Sequence, residues 1–523
     1  MKAKELLNLP GDRYGRIIAF VLSLILPFLL YSILVGIPLP HWVGYWATYG
    51  YESIIVIFLV LLYPTLSRSD FLSITLSLTS ILCLFFLALA GVWNSSAHYS
   101  SVVGGLLPFS DANGYLNDAR SVLEGNNFSA FSSRRPLFPG TLTALLGLTG
   151  QNLQVTIAIL VAMISTACFC LVRELKDSLG YISSILVISG IFFYYRPYIG
   201  STLTENLGLA LGITGFACLW RGATLKNISW AFWGLFVFTL ALVARAGAFF
   251  ALPALIVWGS YFFRDKNRFS FRFLFGGISI ILMAFLVNQI FFKVLGSPEG
   301  MVFSNFSWTL YGLAKGGQTW AQATIDYPGA SQQEIYAYAF QEISRNPMGL
   351  VIGSLKAWEA FFNPFTGGLF VFVGEKSRIL LVILSVLGLV KCFLNPKKGE
   401  HLLILFLTIG ILASAPFIPV WDAGVRTYAP TIAISFVLPM LGLNFLFANP
   451  KFALKKGNKT WILALTLGTL AASAPFISLE DSDLGVRTPI VAIFFVLPML
   501  GLLNSLGNHE RLKGFLKTVR QNT

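Results

Sequence analysis

The chain has 523 residues, of which 56% are hydrophobic and only 11% are charged, and its formal net charge is +14. Soluble domains carry about 25% charged residues, so the composition excludes a soluble enzyme and predicts an all-α polytopic membrane protein. The Lys and Arg residues recur in short clusters between apolar runs, which argues against a nucleic-acid partner and favours topology signals.

Apolar runs between charged residues predict about fourteen transmembrane helices. In chain order they lie near residues 17–37, 52–66, 71–92, 153–173, 181–195, 200–220, 228–244, 246–263, 272–294, 378–394, 402–420, 427–447, 460–478 and 488–506. The sequence of residues 413–443 recurs at 472–502, and each copy reads as a hairpin of two helices around an outward loop.

The chain divides into six regions, each assigned from its pattern of charge and hydropathy. They are N-terminal helices (1–92), a first large outer loop (93–152), core helices (153–294), a second outer loop (295–377), C-terminal helices (378–506) and a cytoplasmic tail (507–523). Most Lys and Arg residues fall on one side of this arrangement, so the positive-inside rule assigns both termini to the cytoplasm. Residues 349–373 then have to form an interfacial helix rather than cross the bilayer.

The first outer loop contains a polar segment in which Asp111, Tyr115, Asp118 and Ala119 recur at helical spacing. This spacing predicts a short amphipathic helix with two carboxylates and a phenol on one surface face. The alternatives are that Asp111 caps the helix and that Asp118 is structural.

Two arginines, Arg134 and Arg135, stand before Pro136 and an apolar run. Paired guanidiniums at a membrane surface are suited to bidentate binding of a phosphate. The competing interpretation is that they anchor the loop to lipid headgroups.

Further charges flank the predicted outer ends of later helices. They are Arg196, Glu205 and Arg245 in the core region, and Asp422 and Arg426 in the first copy of the repeat. An ionisable residue at membrane depth indicates function by default, although Glu205 paired structurally with Arg196 or Arg245 is the alternative. We expect the first repeat copy, rather than the second, to serve the site.

These motifs resemble the GT-C superfamily of integral membrane glycosyltransferases, in the branch of the protein O-mannosyltransferases and lipid A aminoarabinose transferases. The resemblance is carried by Asp111 early in the first outer loop, Tyr115 and Ala119 after it, Arg135-Pro136-Leu137, and Glu205 after Arg196. The stretch from Arg345 to Lys356 and that from Asp422 to Pro430 are similar to later family motifs. Two additional N-terminal helices, Ala112 in place of a second acidic residue and the duplicated hairpin depart from the family pattern.

The resemblance implies a GT-C-like fold with amphipathic surface helices in both outer loops, and transfer from a polyprenyl-phosphate sugar donor to a lipid, glycan or protein acceptor. It places the protein in an inner cell membrane, in contact with membrane lipids, with its active site extracytoplasmic. Asp111 is then the general base and Glu205 a second catalytic residue, while Arg134, Arg135, Arg245 and Arg426 bind the donor phosphate. Tyr115, Asp118, Arg196, Lys356 and Asp422 are expected to contact substrate. Whether Asp111 and Glu205 hold a divalent cation, magnesium or manganese, stays open.

Two other functions compete with this one. A polyprenyl-linked oligosaccharide polymerase or ligase also uses outer-face arginines, but it typically depends on a large later loop. A flippase or transporter of lipid-linked sugars predicts charges at mid-membrane and inverted repeats, whereas the clear repeat here is parallel, terminal and local.

Overall fold

The computed structural model of the chain describes residues 13–40, 52–67, 71–94, 102–103, 106–264, 269–365 and 368–448. Within these ranges the fold is helical, apart from one antiparallel ladder in which Val102–Val103 pairs with Leu107–Pro108. The α-helices are Arg13–Val35, Glu52–Leu66, Phe71–Asn94, Asp111–Leu123, Ala130–Ser133, Leu137–Leu148, Leu153–Leu179, Tyr181–Tyr195, Glu205–Leu225, Ile228–Ala244, Ala251–Phe262, Phe271–Leu295, Phe306–Ala314, Ala321–Asp326, Gln332–Arg345, Pro347–Phe362, Glu375–Leu394, Gly399–Ser414, Val420–Ala423 and Ile432–Ala448. Short 3-10 helices span Gly368–Phe370, Ala415–Phe417 and Gly424–Tyr428.

In the described ranges, seven helices are long and apolar enough to cross a membrane. These segments are Ile18–Val35, Phe71–Trp93, Leu153–Leu179, Glu205–Leu225, Phe271–Leu295, Glu375–Leu394 and Gly399–Phe417. Six more apolar helices of 10–17 residues accompany them, at Ile54–Leu66, Leu137–Leu148, Tyr181–Tyr195, Ile228–Ala244, Ala251–Phe262 and Ile432–Leu446. The predicted class, a multi-pass helical membrane protein, is therefore confirmed.

Every predicted span that falls on described residues coincides with a helix, but several boundaries were wrong. The span placed at 200–220 begins at Glu205, because a turn at residues 196–200, with Gly200 at a φ of 81°, and a non-helical stretch at 201–203 precede it. The span placed at 153–173 continues past its charged residues to Leu179 and stops before Gly180, which has a φ of 80°. The last two predicted spans, the second repeat copy and the tail lie outside the described residues.

The Glu205–Leu225 helix is among the most buried of the candidate spans: 72% of its most apolar stretch is buried, as in Leu153–Leu179, against 11% for Phe271–Leu295. Glycines on this helix allow its neighbours to approach closely, as small residues do between membrane helices. A methyl group added at Gly208 would lie 2.6 Å from Cβ of Arg245, and one at Gly215 would lie 2.6 Å from the backbone nitrogen of Phe238. This close packing brings the end of the Ile228–Ala244 helix against the start of the Glu205 helix.

Short helices form in both segments that the sequence analysis assigns to outer loops, residues 93–152 and 295–377. The Asp111–Leu123 helix packs Ala112, Leu116 and Ala119 against the Leu137–Leu148 helix in one small core. In the second loop, a separate core contains Leu310, Tyr311, Ala323, Ile335 and Ala339 from three short helices. These two units place polar side chains near the ends of the longer helices.

Candidate functional site

Four charged residues form a chain of alternating ion pairs. The Asp111 carboxylate accepts a hydrogen bond from Nη2 of Arg426 at 2.8 Å. Nε of Arg426 lies 3.5 Å from Oε1 of Glu205, and Nη2 of Arg245 lies 3.4 Å from the same oxygen. The structure therefore joins residues from four distant parts of the sequence, which we call the ion-pair chain.

Each member of the ion-pair chain lies at or near the end of a helix. Asp111 and Glu205 are the first residues of their helices, where a carboxylate interacts favourably with the helix dipole. Arg245 directly follows the Ile228–Ala244 helix, and Arg426 lies in the 3-10 helix Gly424–Tyr428. The buried Thr202 hydroxyl donates to the carbonyl of Ala112 at 2.6 Å and so ties the start of the Asp111 helix to the segment before Glu205.

The ion-pair chain has a buried half and an accessible half. The side chains of Glu205 and Arg245 are 1% and 2% exposed, whereas those of Asp111 and Arg426 are 37% and 28% exposed. Burial lowers the pKa of Arg245 to about 10, against the opposing effect of Glu205. Burial alone would also lower the pKa of Arg426, but Glu205 and Asp111 outweigh it and raise that pKa. Both arginines therefore stay charged at neutral pH.

Arg134 and Arg135 add positive charge beside this chain. In the described ranges, neither guanidinium lies within ion-pair distance of a carboxylate. Burial, followed by the neighbouring Arg135, lowers the pKa of Arg134, while Asp111 is close enough to oppose that shift. Arg135 is in turn among the groups that lower the pKa of Arg245. The region therefore contains four guanidiniums and two carboxylates.

The predicted orientation of the Asp111 helix was wrong. Tyr115 is 4% exposed and packs against Phe131 and Phe138, with ring centroids 4.9 and 5.8 Å away, rather than facing solvent beside two carboxylates. The reason is that Tyr115 shares its helix face with the buried Ala112, Leu116 and Ala119. It still lies near the site, because Tyr115 is among the groups that raise the pKa of Arg134 and Arg426.

The other predicted substrate contacts have partners elsewhere in the structure. Asp118 accepts from the Ser129 hydroxyl at 2.6 Å, and Arg196 is buried with its guanidinium 5.4 Å from the Phe193 ring centroid. Lys356 donates to the carbonyl of Gly316 at 2.8 Å. These contacts give Asp118 and Lys356 roles in packing the outer loops.

Asp422 contacts the second outer loop instead of the ion-pair chain. Its carboxylate accepts from the backbone nitrogen of Trp320 at 2.9 Å. Burial raises the pKa of Asp422, against the hydrogen bonds from Trp320 and the Thr309 side chain. Asp422 therefore joins the segment that leads to Arg426 to Trp320 of the second outer loop.

A divalent cation does not fit the two predicted carboxylates. The Arg426 guanidinium lies 2.8 Å from the Asp111 carboxylate and 3.5 Å from that of Glu205, so the two carboxylates already share a cation. In the part of the chain that the structure describes, no group of three His, Cys, Asp or Glu side chains could hold a metal ion. The carboxylates of Asp111 and Glu205 are instead both paired with Arg426.

Sequence reasoning missed the hydrogen bond from Thr202 to Ala112 and the ring contacts of Arg134. The signal for Thr202 is present, since the run Thr202-Leu203-Thr204 precedes a charged residue at a helix start, but its partner is 90 residues away.

Comparison with known proteins adds no assignment: no family model matches the chain, and no curated protein matches it significantly. The chemistry of the site itself, an accessible carboxylate beside an excess of guanidiniums, is what indicates function.

Proposed function

We propose that the chain is a GT-C-type membrane glycosyltransferase that transfers a sugar from a polyprenyl-phosphate donor to a lipid, glycan or protein acceptor. The observation that carries the proposal is the excess of guanidiniums around one accessible carboxylate. Arg134 and Arg135 have no carboxylate partner among the described residues, so an anionic group would compensate their charge. A phosphate accepts bidentate hydrogen bonds from such arginines.

Asp111 is the general base in this proposal. Inversion at the anomeric carbon requires a group that takes the proton of the acceptor hydroxyl, and a partly exposed carboxylate can reach that hydroxyl. The hydrogen bond from Arg426 holds the carboxylate in one orientation at the start of its helix. The same guanidinium, with Arg134 and Arg135, stabilises the negative charge that develops on the departing lipid phosphate.

Glu205 is a positioning residue in this scheme. Its side chain is 1% exposed and is in contact with Arg245 and Arg426, so a substrate hydroxyl does not reach it. Its charge compensates Arg245, which would otherwise be buried without a counterion, and adds to the compensation of Arg426 by Asp111. This role differs from the catalytic role that the resemblance implies for Glu205.

The same proposal includes the orientation of the chain in an inner cell membrane. Both termini lie in the cytoplasm, and the site lies on the extracytoplasmic face. The Pro347–Phe362 helix supports the interfacial placement of residues 349–373. Trp358 donates to the carbonyl of Leu412, and the ring centroid of Phe361 lies 5.4 Å from that of Tyr428. This helix therefore packs against the end of the Gly399–Ser414 helix and against the 3-10 helix that contains Arg426. Its exposed side chains include Met348, Ile352 and Leu355, which suit contact with lipid.

The test is transfer by purified protein supplied with polyprenyl-phosphate sugars. Asp111→Asn is expected to abolish transfer while leaving donor binding intact, because amide and carboxylate have the same size but only the carboxylate accepts the proton. Asp118→Asn is the matched control, since this carboxylate is on the same helix and bonds only to Ser129 in the described structure. Equal loss of transfer in both variants, or movement of donor across bilayers without transfer, would contradict the proposal.

A further inference from the structure

The Arg134 segment is fastened to a stretch of the second outer loop, residues 295–308, which we call the clasp. Three hydrogen bonds join them: Phe128 N to Leu295 O at 2.8 Å, Ser297 N to Ser133 Oγ at 2.8 Å, and Phe303 N to Arg134 O at 3.0 Å. The clasp therefore contacts the main chain of Phe128 and of Arg134 itself, and the hydroxyl of Ser133 between them.

The clasp also reaches the side chain of Arg134. The guanidinium carbon lies 5.2 Å from the ring centroid of Trp308 and 5.6 Å from that of Phe131, within the distance of cation–π attraction. The Nε atom is buried and has no hydrogen-bond partner in the described ranges. The two rings thus restrict where the guanidinium can point, and leave its terminal nitrogens to make polar contacts.

Backbone strain indicates that this arrangement is imposed by its surroundings. Phe303 has a φ of 58°, a left-handed conformation that a bulky residue rarely adopts. Its ring packs against Phe249 and Phe285, with ring centroids 5.5 and 6.3 Å away, and its N–H donates a hydrogen bond to the carbonyl of Arg134. Strain of this kind persists where the neighbouring structure determines the conformation, and it concentrates at functional sites.

We propose that Trp308 is a positioning residue for donor binding, because its ring holds the Arg134 guanidinium in the orientation that receives the phosphate. The inference rests on the proposed function. A side chain that is already oriented loses less conformational freedom when its ligand binds. The second outer loop thus contributes to donor affinity through Arg134, without itself reaching the phosphate.

The experiment measures binding of a polyprenyl phosphate of defined length to purified protein in nanodiscs, with the neutral polyprenol as reference. Trp308→Leu is expected to weaken binding about tenfold, the size of a desolvated cation–π contact, and Trp308→Phe to weaken it less than about threefold, since an aromatic face remains. Trp320→Leu is the control, since this tryptophan of the same loop is 49% exposed and has no arginine at its ring in the described part of the chain. In transfer assays the Trp308→Leu variant should raise the donor KM more than it lowers kcat.

A double variant separates positioning from general damage to the fold. In an Arg134→Ala background, Trp308→Leu should cause no additional loss of affinity, because the group it orients is absent. Unchanged binding by Trp308→Leu, equal losses in the Leu and Phe variants, or an undiminished loss in the Arg134→Ala background would each overturn the inference. If the wild-type protein binds polyprenol and polyprenyl phosphate equally, it is the proposed function that fails.

Discussion

The buried half of the ion-pair chain leads to a quantitative prediction for Glu205→Gln. Glu205 lies 3.4 Å from Arg245 and 3.5 Å from Arg426, and the side chains of Glu205 and Arg245 are almost fully buried. At an effective dielectric constant of about 20, each of these contacts corresponds to about 5 kcal/mol of Coulomb attraction. The cost of burying the carboxylate offsets part of this, so we expect the substitution to lower the free energy of unfolding by about 3–5 kcal/mol.

The assay is unfolding in mixed micelles by sodium dodecyl sulfate titration, followed by circular dichroism. Adding Arg245→Met to Glu205→Gln should recover stability, because it removes the guanidinium left without a partner, and we expect a coupling energy of about 2 kcal/mol or more. Glu174→Gln is the control, since Glu174 pairs with Arg221 at 2.6 Å but the two side chains are 24% and 36% exposed. That partly exposed pair should contribute about 1 kcal/mol or less. Additive effects of Glu205→Gln and Arg245→Met, or equal losses in Glu205→Gln and Glu174→Gln, would refute the reasoning.

Three further predictions concern residues around Asp111. Arg426→Ala should lower the transfer rate about 100-fold, as loss of one preorganised donor does, whereas Arg487→Ala, at the matching position of the second repeat copy, should leave the rate unchanged in the same assay. Thr202→Val should cost about 1 kcal/mol of unfolding free energy and reduce transfer, since it removes the hydrogen bond to Ala112, and Thr202→Ser should restore both; equal behaviour of the two variants would contradict this. Ser110 has a φ of 52° and makes no side-chain capping bond, so Ser110→Gly should raise the unfolding free energy by about 1 kcal/mol, with Ser110→Ala unchanged, as measured by the same titration.

The sequence predicts the helices well because long apolar runs leave few alternatives. The Leu153–Leu179 helix continues past its charged residues and ends before Gly180, which has a positive φ, and the helix predicted from residue 200 begins at Glu205, after a turn that contains Gly200. Proline also marks boundaries: in the predicted span at 402–420 the α-helix ends at Ser414 and a 3-10 helix that contains Pro416 follows, and the helix in the span at 427–447 begins after Pro430. These departures follow from backbone geometry, which a hydropathy pattern does not register.

The candidate site was predictable as a set of residues but not as an arrangement. Asp111, Glu205, Arg245 and Arg426 stand out because charged residues are scarce beside apolar runs. Their pairing joins residues as much as 315 positions apart, which helical spacing cannot show. The orientation of Tyr115 was within reach of the sequence, since Ala112, Leu116 and Ala119 mark the apolar face of its helix.

The most direct test of the central claim is incubation of purified wild-type protein and the Asp111→Asn variant with a panel of polyprenyl-phosphate sugars. Mass spectrometry would follow release of the lipid phosphate and formation of the glycosylated acceptor. We predict release and transfer with at least one donor by the wild type, and neither by the variant. Equal turnover by both proteins would contradict the role of Asp111, and no turnover by the wild type with any donor would contradict the glycosyltransferase assignment.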